Sequence, residues 1–387
     1  MFTFKVYHQI DQLENQWNSL LEATNTENVF LNFYWTRNWL TNYHHYIESL
    51  QIIVIFDNDN KCIAIAPLYI SSYHKDTLAL LGTNEPEWCE VQAESMDIIY
   101  LAEHHDALVN YFINIFKTHL PVTRIHLKNI SKTSCIHNIA TKLSSKYFYI
   151  RKHSCYQFLF NQFDNINSAL LLNKNNKRIL NKFLKNDNCF YEIADTEQKK
   201  KELFDTLIGL HQQRWNHKGK TGVFAESKFL DFHRALLLDV NFNKNILLTA
   251  VKHDKKVLSV NYSYISKNKV YFYQAGIDSL FKPNFSPGLL NHLLLIKHGE
   301  SIGVKEYNLL LSKDINSYKS KLSNSTVALI TVELHKYTFK NIFKLLLLKL
   351  NVINKLSGII KNTVRRFINK WTKEYVFCQR KKYYREL

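Results

Sequence analysis

The segment Asn284-Phe285-Ser286-Pro287-Gly288-Leu289-Leu290 has the residue types of a phosphate site at the start of a helix. Ser286 can cap the first amides, Pro287 suits the first helical position, and Gly288 lets a backbone or a ligand approach closely. Free N–H groups at the positive end of a helix dipole favour an anion there. A well-capped helix with no ligand reads the same way, so both readings stand on these residues alone. Asp278, just past a strand and before that turn, is placed to take a proton from an attacking amine or hydroxyl, or simply to cap the turn. Arg178, with Lys174, Lys177 and Lys182, makes a cationic helix face that can hold a phosphate or stay solvated. His211 can act as a general base near neutral pH. Its place beside Leu207 and Trp215 equally suits a packed core histidine. Arg214 and Trp215 precede a basic loop holding His217, Lys218, Gly219, Lys220 and Gly222, which reads as an acceptor-binding loop or a plain surface loop.

Two passages of alternating helix and strand must position these groups, divided near residue 150. In the first, helices are expected at Ile10–Leu21, Phe33–Tyr43 and Asp106–His119, and strands at Gln51–Phe56, Cys62–Ile70, Leu78–Leu81, Asp97–Tyr100 and Arg124–Leu127. Asp57-Asn58-Asp59-Asn60 between two apolar runs is a hairpin signal. The second passage opens with a strand at Tyr156–Phe160 and a long basic helix from Asn165 to Asn186. Helices follow at Glu197–Asn216, Glu226–Val240 and Pro287–Ile302, with a short one within Lys313–Leu322. Strands are expected at Phe190–Ile193, Ile246–Lys252, Val257–Ser266, Val270–Ile277, Glu306–Leu311 and Thr326–Leu334. Only a mixed α/β fold accommodates that order.

Composition narrows the classes further. With 25 Phe, 22 Tyr and 6 Trp, the 387 residues have too many rings to remain disordered. Six scattered cysteines without a CxxC pair point to reduced thiols and no zinc site, and no metal is expected. Lys5, His8 and Asp11 interrupt any leader-like run, and no run of apolar residues is long enough to span a bilayer, so the expected location is cytoplasmic. The net charge of +18 suggests a nucleic-acid binder until it is divided. Residues 336–387 hold 14 Lys/Arg against two acids, so +12 belongs to that tail and only +6 to the remaining 335 residues. No DNA partner is expected from such a split. Val352/Ile353, Leu356, Ile359/Ile360, Val364, Phe367/Ile368 and Trp371 recur at helical spacing with basic residues between them. This basic amphipathic helix suits either an anionic membrane surface, through residues 336–373, or packing on the body of the protein.

Several short motifs in order carry a family resemblance over residues 157–332. They are Lys177-Arg178-Ile179-Leu180, His211-Gln212-Gln213-Arg214-Trp215, Gly222-Val223-Phe224, Tyr273-Gln274-Ala275-Gly276-Ile277-Asp278, Ser286-Pro287-Gly288-Leu289-Leu290 and Tyr318-Lys319. The first half adds Phe33-Tyr34-Trp35 and Ala66-Pro67-Leu68. Together they resemble the BioF2-like, or CelD-like, acetyltransferases of the GNAT superfamily, relatives of the Fem peptidyltransferases. The resemblance implies two tandem GNAT-like domains with mixed, largely antiparallel sheets. Residues 1–150 would form a degenerate copy, 151–335 the acetyltransferase domain, and 336–387 the helical tail. It also implies direct acyl transfer from acyl-CoA, such as acetyl-CoA, to an amine or hydroxyl acceptor, a cell-envelope or exopolysaccharide sugar among the candidates. Alternatives are an aminoacyl-tRNA-dependent Fem-like ligase and a catalytically weak scaffold on the inner face of the envelope. By the same resemblance Ser286, Pro287, Gly288 and Leu289 form the pyrophosphate loop, Tyr318 reprotonates the thiolate, and Lys319 neutralises developing charge. The family pattern has Asp, Gly and Trp where this chain has Asn308, Ser312 and Leu322. A bulky residue at position 288 is expected to cost CoA binding and spare the fold.

Overall fold

The computed structural model describes residues 2–24, 26–120, 122–143, 147–161, 173–281, 286–312, 314–338 and 341. The amphipathic pattern expected beyond residue 341 lies outside them, as does the first part of the basic helix expected from Asn165.

Local sequence accounts for most elements. In the first half, β1 (Thr3–Tyr7) leads into α1 (Glu14–Ala23) and α2 (Phe33–Tyr43). The Asn32 side chain starts α2 by accepting the N–H groups of Tyr34 and Trp35. Phe33, Trp35, Trp39 and Tyr43 then bury one broad face of it. β2 (Ile47–Phe56) and β3 (Cys62–Ser71) form a hairpin whose turn is held by Asp57 Oδ1, which accepts from the N–H groups of Asp59 and Lys61. β4 (Thr77–Leu80), the short β5 (Ile99–Tyr100), α3 (His105–Thr118), β6 (Arg124–Ser131) and α4 (Cys135–Leu143) complete this half.

β7 (Tyr147–Phe160) begins nine residues earlier than the sequence pattern places it, and so runs unbroken through residue 150. Then come α5 (Lys174–Leu184), β8 (Cys189–Ile193), α6 (Glu197–Asn216) and α7 (Ser227–Leu238). Three antiparallel strands follow: β9 (Ile246–His253), β10 (Lys256–Ser266) and β11 (Lys269–Ile277). Helix α8 (Pro287–Gly299), β12 (Glu306–Ser312) and β13 (Ser325–Lys336) end the described chain. Only a 3-10 turn, Tyr318–Lys321, forms in the short segment read as helical.

The sheet order is β1-β2-β3-β4-β6-β13-β7-β12-β11-β10-β9-β8, with β5 paired to β3. Four antiparallel strands lead in each half to one parallel junction, β4 beside β6 and β11 beside β12. The halves also trade their last strands. β13, from the second half, lies between β6 and β7, while β7, from the first, lies between β13 and β12. The result is one mixed α/β sheet built from two similar units. Its largest core cluster reaches from Trp17, Trp35 and Trp39 across to Phe232, Tyr262 and Tyr264. A second cluster packs Leu290, Leu293 and Leu294 of α8 against Phe158, Phe272 and Tyr307. Among the described residues, no helix is long and apolar enough to cross a membrane.

Candidate functional site

At the second parallel junction the two strands pair only at Lys269–Glu306, Val270–Tyr307 and Tyr271–Asn308. β11 continues to Ile277 and β12 to Ser312, but beyond those three pairs they no longer face each other in register. Backbone N–H and C=O groups along the separated edges then need other partners. Irregularities on both strands accompany the separation. On β11, Tyr262 pairs with Gln274 and Ser263 with Phe272, so Tyr273 is an extra residue. On β12, Leu310 takes a left-handed φ of 57°, and its N–H donates to Asn308 Oδ1 at 2.8 Å. Asn308 therefore shapes the strand, which gives a structural role to one position that departs from the family pattern.

The loop after β4 crosses from the first half to this opening, and side chains of the scaffold catch its carbonyls one after another. The Tyr69 hydroxyl donates to Thr83 O at 2.6 Å, Tyr43 to Cys89 O at 2.7 Å and Tyr273 to Val91 O at 2.7 Å. Asn28 Nδ2 donates to Glu94 O and Ser95 O at 3.1 and 2.9 Å. So held, the loop delivers Glu94, 1% exposed, to β12. Glu94 Oε1 accepts the Leu311 N–H at 3.0 Å, and Oε2 accepts from Gln157 Nε2 at 3.3 Å. Lys319 Nζ donates to the carbonyl of the same Leu311 at 2.9 Å. Burial pushes the Glu94 carboxyl up to about 7, against the pull of the Leu311 N–H and of Lys319. Burial also pulls the Lys319 ammonium down to about 8, with Glu94 opposing. The two peptide groups on either side of the Leu311 Cα are thus held by an acid and a base that both titrate near neutrality.

Helix α8 is fixed to the sheet from its first turn. Ser259 Oγ donates to Pro287 O at 3.0 Å, and Asn291 Oδ1 accepts from Thr249 Oγ1 at 2.7 Å. A Cβ on Gly288 would stand 2.4 Å from Ile277 Cδ1, so the missing side chain makes room for β11. The contact is with the far end of a side chain, so a bulky residue at 288 is expected to cost stability rather than the fold. Gly288→Val should overpack this contact and cost about 1–3 kcal/mol of stability, seen as a lower Tm without any ligand. Shortening Ile277 to Val should recover part of that loss. One turn into α8, buried His292 brings Nδ1 to 2.7 Å from the Tyr307 hydroxyl on β12. Burial, aided by the Lys319 charge, lowers the imidazole to about 3, so His292 is neutral at physiological pH.

The residues singled out by sequence fall into three groups. Tyr318 and Lys319 reach the opening. The Tyr318 ring lies 6.0 Å from His292, and desolvation pushes its phenol up to about 12 while Arg214 pulls the other way. Arg214 is therefore close enough to act on Tyr318 electrostatically, and Trp215 carries the ammonium groups of Lys218 and Lys220 at 5.6 and 6.0 Å. Pro287, Gly288 and Leu289 occupy the first turn of α8, and Ser286 O accepts the Leu290 N–H just before it. The remaining three stand in other roles. Asp278 caps its own turn, with Oδ1 accepting from the N–H groups of Leu280 and Phe281 at 2.9 and 3.0 Å, and Lys256 Nζ lies 2.7 Å from Oδ2. Its burial would raise the carboxyl, but Lys256 and the two N–H groups outweigh that and hold it low. Arg178 is exposed on α5, where it donates to Asn175 Oδ1 at 3.0 Å. His211 is buried against Phe224, ring centroids 5.0 Å apart, and its imidazole is lowered by that burial.

Sequence reasoning missed Glu94, Gln157, His292 and Tyr307. His292 was within reach, because it lies one turn beyond Pro287 in a segment already marked. Glu94 had no local signal at all, since its partner Leu311 is 217 residues away. Among the described residues no group of three or more His, Cys, Asp or Glu side chains is arranged to hold a metal ion.

Residues 173–320 match the family model of the acetyltransferase (GNAT) domain. No curated protein matches the sequence. Among solved structures, FemX aligns with a TM-score of 0.53 at 12% identity, over 88% of this chain and 99% of its own. The C-terminal domain of a putative lysylphosphatidylglycerol synthetase from Agrobacterium fabrum aligns with a TM-score of 0.51 at 9% identity, over 84% of this chain and 92% of its own. At such identities the likeness is one of fold. The separated strands, α8 and Lys319 all lie within residues 173–320, the segment that matches the acetyltransferase (GNAT) domain.

Proposed function

We propose that the protein transfers an acyl group from a CoA thioester directly to an amine or hydroxyl acceptor in the opening between β11 and β12. The observation that carries this reading is the parallel pair that lets go after Tyr271 and Asn308, because an extended thioester arm can bond the edges so exposed. A bound CoA thioester would supply the activated acyl group. The first turn of α8, at the far end of β11, suits its phosphates. Backbone N–H groups along the opening would polarise the carbonyl under attack. Glu94 and Lys319 would manage the acceptor's proton and the developing charge. Tyr318, protonated at neutral pH, would return a proton to the departing thiolate.

Thermal shift with acetyl-CoA, longer acyl-CoAs and free CoA tests this. A ligand at 100 times its Kd should stabilise the protein by about 2.7 kcal/mol. Silence with every CoA species would overturn the reading. A second reading is transfer of an aminoacyl group from tRNA. It is favoured by the placement of Lys319 at the opening and by the fold shared with the lysylphosphatidylglycerol synthetase domain. A shift with charged tRNA in the absence of any CoA response would select it.

A further inference from the structure

The loop that delivers Glu94 also carries Trp88, 55% exposed, outward into solvent. Its neighbour Tyr73, in the turn between β3 and β4, is 45% exposed and meets Trp88 edge to face, with ring centroids 6.1 Å apart and planes at 88°. Tyr46, just before β2, continues the row, 6.0 Å from Tyr73 and at 78° to it. His74 packs on Tyr73 at 4.6 Å, and Lys228 Nζ stands 5.8 Å from the Tyr46 ring. Soluble chains rarely show solvent a row of large rings without a partner for it. These rings are also fixed in place: each is wedged by the next, and Cys89, which lies beside Trp88, has its Sγ 3.8 Å from the Tyr46 hydroxyl.

The charges around the row decide what it faces. In the sequence Lys75 and Asp76 follow His74, Glu87 precedes Trp88, His44 and His45 precede Tyr46, and Glu226 lies two residues before Lys228, which stands over Tyr46. Such a rim is nearly balanced in charge and rich in hydrogen-bonding groups, so an anionic lipid surface or a nucleic acid gains little from it. A neutral polyhydroxylated ring gains more. A pyranose has a flat face of C–H groups, which suits the electron-rich face of an aromatic ring, and a circumference of hydroxyls, which suits imidazoles and carboxylates. Rigid Tyr and Trp side chains also provide such contact area at little cost in conformational entropy.

We propose that the Tyr46–Tyr73–Trp88 row is a docking platform for a neutral saccharide. On the acyl-transfer reading above, that saccharide is the acceptor or is covalently joined to it, but binding to the platform does not depend on that reading. The probes are chitotetraose and cellotetraose, titrated into the full chain and followed by tryptophan fluorescence and calorimetry. Saturable binding is expected, at least 10-fold weaker in Trp88→Ala and in Tyr73→Ala and unchanged in Phe190→Ala, an exposed ring on β8. It should also be indifferent to salt between 50 and 500 mM, since no ion pair is involved. Both rings are well exposed, so these variants keep the fold, and an unchanged Tm verifies that. No saturation with either oligosaccharide up to 10 mM, or equal affinity in Trp88→Ala, overturns the proposal. So does salt-sensitive binding of phosphatidylglycerol vesicles or of RNA that Trp88→Ala abolishes. Loss of every CoA response would leave the platform standing, and loss of saccharide binding would leave the transfer reading standing.

Discussion

Lys319→Met should lower kcat for acyl transfer by about 10²–10³ and leave KM for the acyl donor nearly unchanged, because the ammonium acts on charge that develops only as the bond breaks. Steady-state rates across pH show whether the effect comes from the pair that flanks Leu311. Glu94 must be ionised to take a proton, so activity should rise as pH passes about 7. Lys319 must be protonated to neutralise charge, so activity should fall as pH passes about 8. The wild-type profile is then a narrow bell whose limbs belong to the two groups jointly. Glu94→Gln should remove the acidic limb. It should also move the basic limb to lower pH, because the Glu94 charge is what raises the Lys319 pKa. A Lys319→Met enzyme with wild-type kcat would place proton handling elsewhere, with Tyr318 and His292 the nearest groups.

Neither half of the chain should fold alone. Residues 1–161 carry β7 but lack β13, which is the neighbour of β6 on that side of the sheet. Residues 162–387 keep β13 but lack β7, which separates it from β12. Each fragment would then present long unpaired strand edges, a setting for aggregation. Expressed separately, both should be insoluble or lack near-ultraviolet circular dichroism. Expressed together, they should co-purify as a 1:1 complex, since β7 and β13 pair along their whole lengths, from Ser325–Leu159 to Lys336–Tyr147. A soluble, cooperatively melting 162–387 fragment would show that the traded strands are dispensable.

Much of the fold was readable because its signals are local. Helices Phe33–Tyr43 and Glu197–Asn216 fall where the spacing of their apolar residues places them. The hairpins of β9, β10 and β11 fall where Asp254 and Lys267 punctuate the apolar runs, and both residues adopt a left-handed φ. The order of antiparallel strands, α8 and β12 was enough to suggest a GNAT domain. What escaped was non-local or weakly patterned. α4 buries Cys135, Ile136, Ile139, Ala140 and Leu143, a helical repeat in a segment too short to stand out. The first residues of β7, Tyr147–Ser154, mix rings, charges and hydroxyls without alternation and become a strand because β13 pairs with them. The candidate site divides in the same way. Pro287, Gly288, Tyr318 and Lys319 come from one stretch with its own motifs, whereas Glu94 comes from a loop whose path is set by Tyr43, Tyr69 and Tyr273. Asp278, which the sequence offers as a base or as a turn cap, holds its turn through Oδ1 and meets Lys256 through Oδ2.

The trade of strands also sets a timetable for synthesis. Ile125 of β6 is paired with Leu334 of β13, so the first half cannot close its sheet until the ribosome has made over 200 further residues. At about 5–20 residues per second, that is about 10–40 s in which β6 waits with an open edge. N-terminal domains commonly fold while the rest of the chain is still being made, and this chain forgoes that advantage. Its two halves must mature together, only once β13 has been made, and a nascent chain stalled before residue 325 would hold an unfinished sheet for chaperones to shield.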